Sequence, residues 1–144
     1  MKLLVINGPN INFVGIREKS IYGTENYDDI CISLKEYAKN NNIELEIWQS
    51  NHEGAIIDKI QSIYGTDVKG VVINPGAYTH YSYAIADAIK SVDVPFVEVH
   101  FSDIHKREDF RKISVTRDGC IDQISGYGAK GYFMAIDKLR CINE

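Results

Sequence analysis

The stretch Gly70–Ile89, GVVINPGAYTHYSYAIADAI, holds one full cycle of the chain's architecture. Gly70–Ile73 is a short apolar run and reads as a strand. Asn74, Pro75 and Gly76 are turn residues that end it. Thr79 stands where a helix N-cap belongs, and Ala84, Ile85, Ala88 and Ile89 then recur at helical spacing. The same order repeats in both directions. Upstream, Leu3–Ile6 and Leu45–Trp48 read as strands. Tyr27, Ile30, Cys31, Leu34 and Ala38 share one helical face, and Ile56, Ile60 and Ile63 share another. Thr24 or Asn26, and Asn51, are the expected caps of those helices. Downstream, Phe96–Val99 is a strand and Cys120–Ile124 a weaker one. Tyr132, Ala135, Ile136 and Leu139 form a last helical face.

Strands alternating with helices make βαβ units, hence a parallel sheet with helices on both faces. The first four strands are apolar runs rather than strict alternations, as a sheet covered on both sides requires. Five parallel strands at this length fit a flavodoxin-like order, 2-1-3-4-5, which is inferred from fold precedent.

The chain has 144 residues, 44% of them hydrophobic, and shows no repeat or low-complexity linker. One core handles that length, so residues 1–144 are expected to form a single domain burying roughly 70% of its unfolded surface. Sixteen Lys and Arg against 20 Asp and Glu leave a net charge of −4, which offers nucleic acid or anionic lipid no general attraction. The Leu3–Ile6 run is too short for a membrane span or a signal peptide. Cys31, Cys120 and Cys141 have no C-x-x-C spacing and read as reduced, mostly buried thiols. A soluble cytoplasmic protein is the expectation.

Ligands of open α/β sheets bind beyond the carboxyl ends of the strands, so the loops there decide function. The first strand is followed by Asn7-Gly8-Pro9-Asn10-Ile11-Asn12, the second by Gln49-Ser50-Asn51-His52-Glu53-Gly54. The third is followed by Asn74 to His80, and the fourth ends at His100-Phe101-Ser102, just beyond Glu98. One such loop is an ordinary turn; together they gather amides, hydroxyls and imidazoles at one edge. Gly15–Gly23 reads as a solvated loop or as a lid bringing Arg17 and Tyr22 over the pocket. Tyrosine is a weak base at its usual pKa of about 10. A neighbouring guanidinium lowers that value and itself stays protonated. Glu98 and His100, two apart on a strand, face the same way. A carboxylate there fixes the imidazole tautomer and favours its protonated form. Simpler readings stand beside these: a structural His100, a capping His80, an exposed Asp87, and an Arg111 belonging to a solvated charge run.

No H-E-x-x-H, phosphate loop of the G-x-x-x-x-G-K-[ST] type, or G-x-S-x-G elbow is present, and Pro9 withholds a backbone donor where a phosphate cradle needs one. A Tyr base with an Arg activator, a His acid and neutral hydrogen-bonding groups suggests proton abstraction from a polyhydroxylated carbonyl compound. No metal or other cofactor is required.

The strings NGPNIN (7–12) with Gly15, IREKSIYG (16–23), QSNHEGAIID (49–58), VINPGAYTHYS (72–82), VEVHFSDIHKREDFR (97–111) and GYGAKGY (126–132) closely resemble the type II 3-dehydroquinate dehydratases. The resemblance implies a flavodoxin-like subunit that reversibly converts 3-dehydroquinate to 3-dehydroshikimate without a cofactor, in shikimate synthesis or quinate breakdown. It implies a dodecamer built from trimers. By position, Tyr22 would take the C2 proton, Arg17 would lower its pKa, and Asn12 would hold a water against the enolate oxygen. His100, oriented by Glu98, would protonate the departing C1 hydroxyl. Asn74, His80, Ser102, Arg111 and the Phe101 backbone would hold the substrate, with Asp87 reaching in from a neighbouring subunit. Lys19, Phe13, Tyr81 and Asp103 depart from the residues common in the family and bear on affinity rather than reaction type. The alternative on the same fold is a flavodoxin-like FMN electron carrier. The first loop, poor in Ser and Thr, argues against it. A catalytically silent assembly protein is weaker still.

Overall fold

The computed structural model describes residues 1–16 and 25–144. Arg17, Lys19, Tyr22 and Thr24 therefore lie outside the described residues, as does most of the expected lid. Strands β1 (Lys2–Asn7), β2 (Glu44–Gln49), β3 (Val68–Asn74), β4 (Phe96–His100) and β5 (Asp122–Ser125) form a parallel sheet in the order β2-β1-β3-β4-β5. Parallel neighbours need crossovers. Helices α1 (Tyr27–Asn40), α2 (Glu53–Ser62) and α3 (Tyr83–Ser91) supply the first three, and α4 (Lys130–Ile142) follows β5. The last crossover carries only short 3-10 turns at Ile104–Lys106, Asp109–Arg111 and Arg117–Gly119.

The strand pleat sorts the core into two layers. Leu3, Val5, Val72, Val97 and Val99 face one way, packing with Ile30, Leu34 and Ala38 of α1 and Tyr132, Ala135, Ile136 and Leu139 of α4. Leu4, Ile6, Val71, Ile73 and Phe96 face the other, against Ile56 and Ile60 of α2 and Ile85, Ala88 and Ile89 of α3. Helices thus cover both faces, as the apolar runs imply. β2 is the exception. It is an edge strand, exposed or half-buried throughout, and Glu46 interrupts its apolar run.

Local details differ from the sequence reading. Asn26 caps α1, its side chain accepting from the Asp29 N–H. His52, not Asn51, occupies the N-cap of α2, because the Asn51 side chain accepts instead from the Asn10 amide. Ser82, not Thr79, caps α3 by accepting from the Ile85 N–H. Thr79 lies in the preceding 3-10 turn, Gly76–His80, fully buried in a polar cluster described below. On α3 the buried small residue beside Ile85 is Ala86, while Ala84 faces outward. β5 starts two residues later than Cys120. All three cysteines are free thiols; Cys141 is exposed near the end of α4, against the expectation of burial. Among the described residues, no helix is long and apolar enough to cross a membrane.

The carboxyl ends of β1 and β3 meet at Gly8, whose amide donates to the Asn74 carbonyl at 2.7 Å. A Cβ at Gly8 would lie 2.5 Å from the Pro75 carbonyl oxygen, a backbone atom that cannot rotate away. Gly8→Ala is therefore expected to destabilise the protein by about 1–3 kcal/mol through forced separation of these loops, read as a lower chemical-denaturation midpoint.

Candidate active site

At the carboxyl edge of the sheet the loops enclose a cavity of about 130 Å³. Pro9, Asn10, Ile11 and Val14 line it after β1, and Asn74, Gly76, Ala77 and His80 after β3. His100, Phe101, Ser102, Ile104, Arg107 and Arg111 complete it after β4. The last residue of β2 acts as a brace. Gln49 Nε2 donates to the Gly8 carbonyl at 3.1 Å and to Asn12 Oδ1 at 3.2 Å.

The pleat brings two polar groups to the cavity from opposite layers. Asn7 and Asn74 pair across β1 and β3 on the side of α1 and α4. There the buried Tyr132 hydroxyl donates to Asn7 Oδ1 at 2.5 Å and accepts from Asn74 Nδ2 at 3.1 Å. Asn74 Oδ1 in turn accepts from the Gly76 amide at 3.2 Å, so both ends of this amide are fixed before a ligand arrives. Asn7 Nδ2 donates to the Tyr27 hydroxyl at 3.3 Å. Burial pushes the pKa of both Tyr27 and Tyr132 up, and each remains a neutral phenol.

Glu98 and His100 share the other face with Phe96, as alternation on a strand requires. Glu98 is fully buried and His100 nearly so. His100 Nε2 lies 2.8 Å from Glu98 Oε2, and the carboxylate is the acceptor. Nδ1 is thereby left as the ring nitrogen for the cavity that His100 lines. The same Oε2 accepts from Gln123 Nε2 at 2.6 Å and Ser114 Oγ at 2.8 Å, with Thr79 Oγ1 at 3.1 Å. Thr116 donates to Oε1. Burial by itself raises a carboxyl pKa, but here the His100 imidazole, then Thr116 and Gln123, outweigh it. They hold Glu98 down from an ordinary 4.5 to about 2.

His80 is a different kind of histidine. Its Nδ1 lies 2.7 Å from the Ile113 carbonyl, which can only accept, so Nδ1 carries the hydrogen and Nε2 is the free position. Burial lowers its pKa and keeps the ring neutral. Arg111 Nε sits 3.2 Å from Glu108 Oε2 as an ion pair without hydrogen-bond alignment, and its guanidinium stacks over Phe110 at 4.9 Å.

Of the residues expected at the site, Asn74, His80, His100, Phe101, Ser102 and Arg111 line one cavity. Glu98 stands behind His100, and Asn12 does not line the cavity but is held by Gln49. Asp87 is exposed on α3 and does not line the cavity. Arg17 and Tyr22 lie outside the described residues. Arg107 lines the cavity and was not singled out, nor were Thr79, Ser114, Thr116 and Gln123 around Glu98. No motif marks these hydroxyls; only the placement of Glu98 on a central strand called for partners. No group of three or more His, Cys, Asp or Glu side chains among the described residues is placed to hold a metal ion.

Fold and site together define a flavodoxin-like α/β protein whose buried carboxylate–imidazole pair opens on a cavity at the carboxyl edge of the sheet. Residues 1–140 match the model of the family described as dehydroquinase class II, and the chain belongs to that family. It is 58% identical over 140 residues to the 3-dehydroquinate dehydratase of Clostridium acetobutylicum, covering 97% of this chain and 96% of the relative. The 3-dehydroquinate dehydratase of Clostridium beijerinckii is 55% identical over 139 residues, covering 96% and 95%. Among solved structures, the type II dehydroquinase of Butyrivibrio crossotus superposes with a TM-score of 0.96 at 62% identity, covering 97% of each chain.

A carboxyl whose pKa is lower in the folded than in the unfolded chain stabilises the fold above the unfolded value. It gives that stability up as pH falls through the folded one. Glu98 should therefore contribute roughly 3 kcal/mol that is lost between about pH 4.5 and pH 2. Chemical denaturation of the wild type and Glu98→Gln across that window should show the larger loss in the wild type, because other carboxyls such as Asp122, held down by Lys138, titrate in both.

Proposed function

We infer that this protein is a type II 3-dehydroquinate dehydratase, a hydro-lyase of the shikimate pathway that interconverts 3-dehydroquinate and 3-dehydroshikimate. The observation that carries this reading is the buried Glu98–His100 pair facing a cavity lined by neutral donors and guanidinium groups, in a chain matched to the dehydroquinase family over residues 1–140. The matched relatives are dehydratases, and the FMN-carrier alternative gains no support from them.

In the proposed reaction the Tyr22 phenolate, its pKa lowered by Arg17, takes a proton from C2. The electron pair moves onto the C3 carbonyl oxygen as an enolate, which meets a water held by Asn12. The enolate then reforms the carbonyl as the C1–O bond breaks, and His100 Nδ1 delivers a proton so that hydroxide leaves as water. Placed proton transfers of this kind each contribute typically 10²–10⁴-fold, and preorganised donors at the enolate add to that. Asn74, His80, Ser102, Arg111 and the Phe101 backbone bind the carboxylate and hydroxyls. His80, neutral and with Nδ1 tied to Ile113, offers Nε2 as an acceptor for a substrate hydroxyl. The scheme needs no metal or nucleotide.

Residues 1–144 serve in this reading as one catalytic domain, working in the cytoplasm as a dodecamer built from trimers. Asp87, exposed on α3 and away from its own cavity, suits a role across a subunit boundary.

Purified protein should convert 3-dehydroquinate to a product with conjugated-enone absorbance without added metal or nucleotide. Tyr22→Phe should lower kcat by at least about 10²-fold; a variant that keeps the wild-type rate removes Tyr22 from the role of base. Native mass measurement should return a dodecamer, and a monomeric species with full activity would separate Asp87 from the site.

A further inference from the structure

The Glu98 carboxylate faces a cluster drawn from two strands, the turn after β3 and the last crossover. His100 reaches it from β4, Gln123 from β5, Thr79 from the turn after β3, and Ser114 and Thr116 from the last crossover. The register explains Gln123, which pairs with Glu98 across β4 and β5 and so shares its face. The hydroxyls also touch each other, with Thr79 Oγ1 at 2.7 Å from Ser114 and 2.9 Å from Thr116.

Counting protons orders this cluster. Each hydroxyl has a single hydrogen. Oε1 receives that of Thr116, and Oε2 receives those of Ser114, Gln123 and His100. Those three already crowd the two lone pairs of Oε2, and the Thr79 hydrogen is shared between Oε2 at 3.1 Å and Ser114 Oγ at 2.7 Å. Every oxygen then has a partner, with Glu98 as the acceptor at the centre of the cluster. A protonated Glu98 would have to reverse a hydroxyl to find an acceptor, and would still meet the Gln123 N–H, which can only donate.

We propose that Thr116 and Gln123 are positioning residues for the elimination. With Ser114 they keep Glu98 an acceptor-only carboxylate in one rotamer, and so fix His100 with Nε2 inward and Nδ1 toward the cavity. The inference rests on the dehydratase reading for its catalytic consequence, but the cluster itself does not depend on it. Gln123 is the telling member because it is a neutral donor where an acid of the same shape could stand. The other titratable groups near the pair are Cys120, whose thiol is pushed up to about 12 by burial and then by the Glu98 charge, and Arg117 beside it. His80, Arg107 and Arg111 lie beyond His100 around the cavity.

Thr116→Val, Thr116→Ser and Gln123→Glu test the proposal. Thr116→Val should lower kcat about tenfold or more with KM within about twofold, and Thr116→Ser should restore it. A protonated Glu at position 123 still donates to Glu98, whereas an ionised one repels it, and one carboxyl of such a pair titrates well above its usual range. Gln123→Glu should keep kcat near pH 5 and lose it as pH rises toward 8, where the wild type does not. Its melting temperature should fall over the same rise in pH, because a carboxyl whose folded pKa is raised loses stability as it ionises. That second readout needs no turnover. An inactive wild type would sink the dehydratase reading and leave this proposal to be judged on the melting curves. Wild-type kcat in Thr116→Val, a Thr116→Ser variant as impaired as Thr116→Val, or Gln123→Glu with wild-type profiles of both rate and melting would each overturn it. Should Gln123→Glu fail to fold, the Thr116 pair decides.

Discussion

A fully buried carboxylate on the central part of a parallel sheet is the most demanding group in this molecule. Removing an ion from water costs several kcal/mol even after relaxation, and an interior position returns that only if every lone pair finds a donor. Glu98 is 0% exposed and meets that condition by recruiting from segments far apart in sequence. The constraint propagates. Thr79 must stay in the turn after β3, which is why it does not cap α3 and Ser82 does. The last crossover must pass close to that turn, and the Val115 amide donates to the Thr79 carbonyl at 2.7 Å. His80, next to Thr79, is then set against the Ile113 carbonyl. Satisfying one charge thus fixes two of the loops that shape the cavity.

The opposite layer solves a milder problem with neutral groups. Asn7 and Asn74 end neighbouring strands, and their side chains enter the layer of α1 and α4. Tyr132 bridges them from α4, the helix most distant in sequence, so the C-terminal helix shapes the cavity without touching it. Buried amides and phenols must be paired, but leaving one unpaired costs less than stranding a charge. A tight steric point lies between the two systems, where Gly8 and Pro75 meet without room for a Cβ.

Fold class was readable because apolar run length and helical spacing are local signals, and β1, β3 and β4 carry them on both faces. β2 carries them less cleanly, since an edge strand keeps one flank wet and tolerates Glu46. The caps of α2 and α3 were misplaced by one and three residues for a single reason. Asn51 and Thr79 each have a stronger tertiary use for the side-chain oxygen that capping needs. The cavity-lining residues were legible because strand ends point to them. Thr79, Ser114, Thr116 and Gln123 were not, because hydroxyl and amide side chains at separations of 16 to 37 residues, or on a weak strand, have no spacing rule.

The two histidines of the cavity show how little sequence context decides and how much a partner does. Both follow or end elements at the same edge, and both have one ring nitrogen fixed by an acceptor at 2.7–2.8 Å. For His80 the acceptor is a peptide carbonyl, a dipole that orients the ring but adds no net charge, and burial keeps the ring neutral. For His100 it is a carboxylate that, against the pull of burial, is kept ionised by His100 itself and then by the Thr116 and Gln123 donors. A neutral imidazole with a free Nε2 can accept from a hydroxyl, while one backed by a full negative charge stands beside a built-in counter-ion. Swapping the two acceptors would swap these capacities with no change in either histidine, so the division of labour in the cavity is written in Glu98 and Ile113.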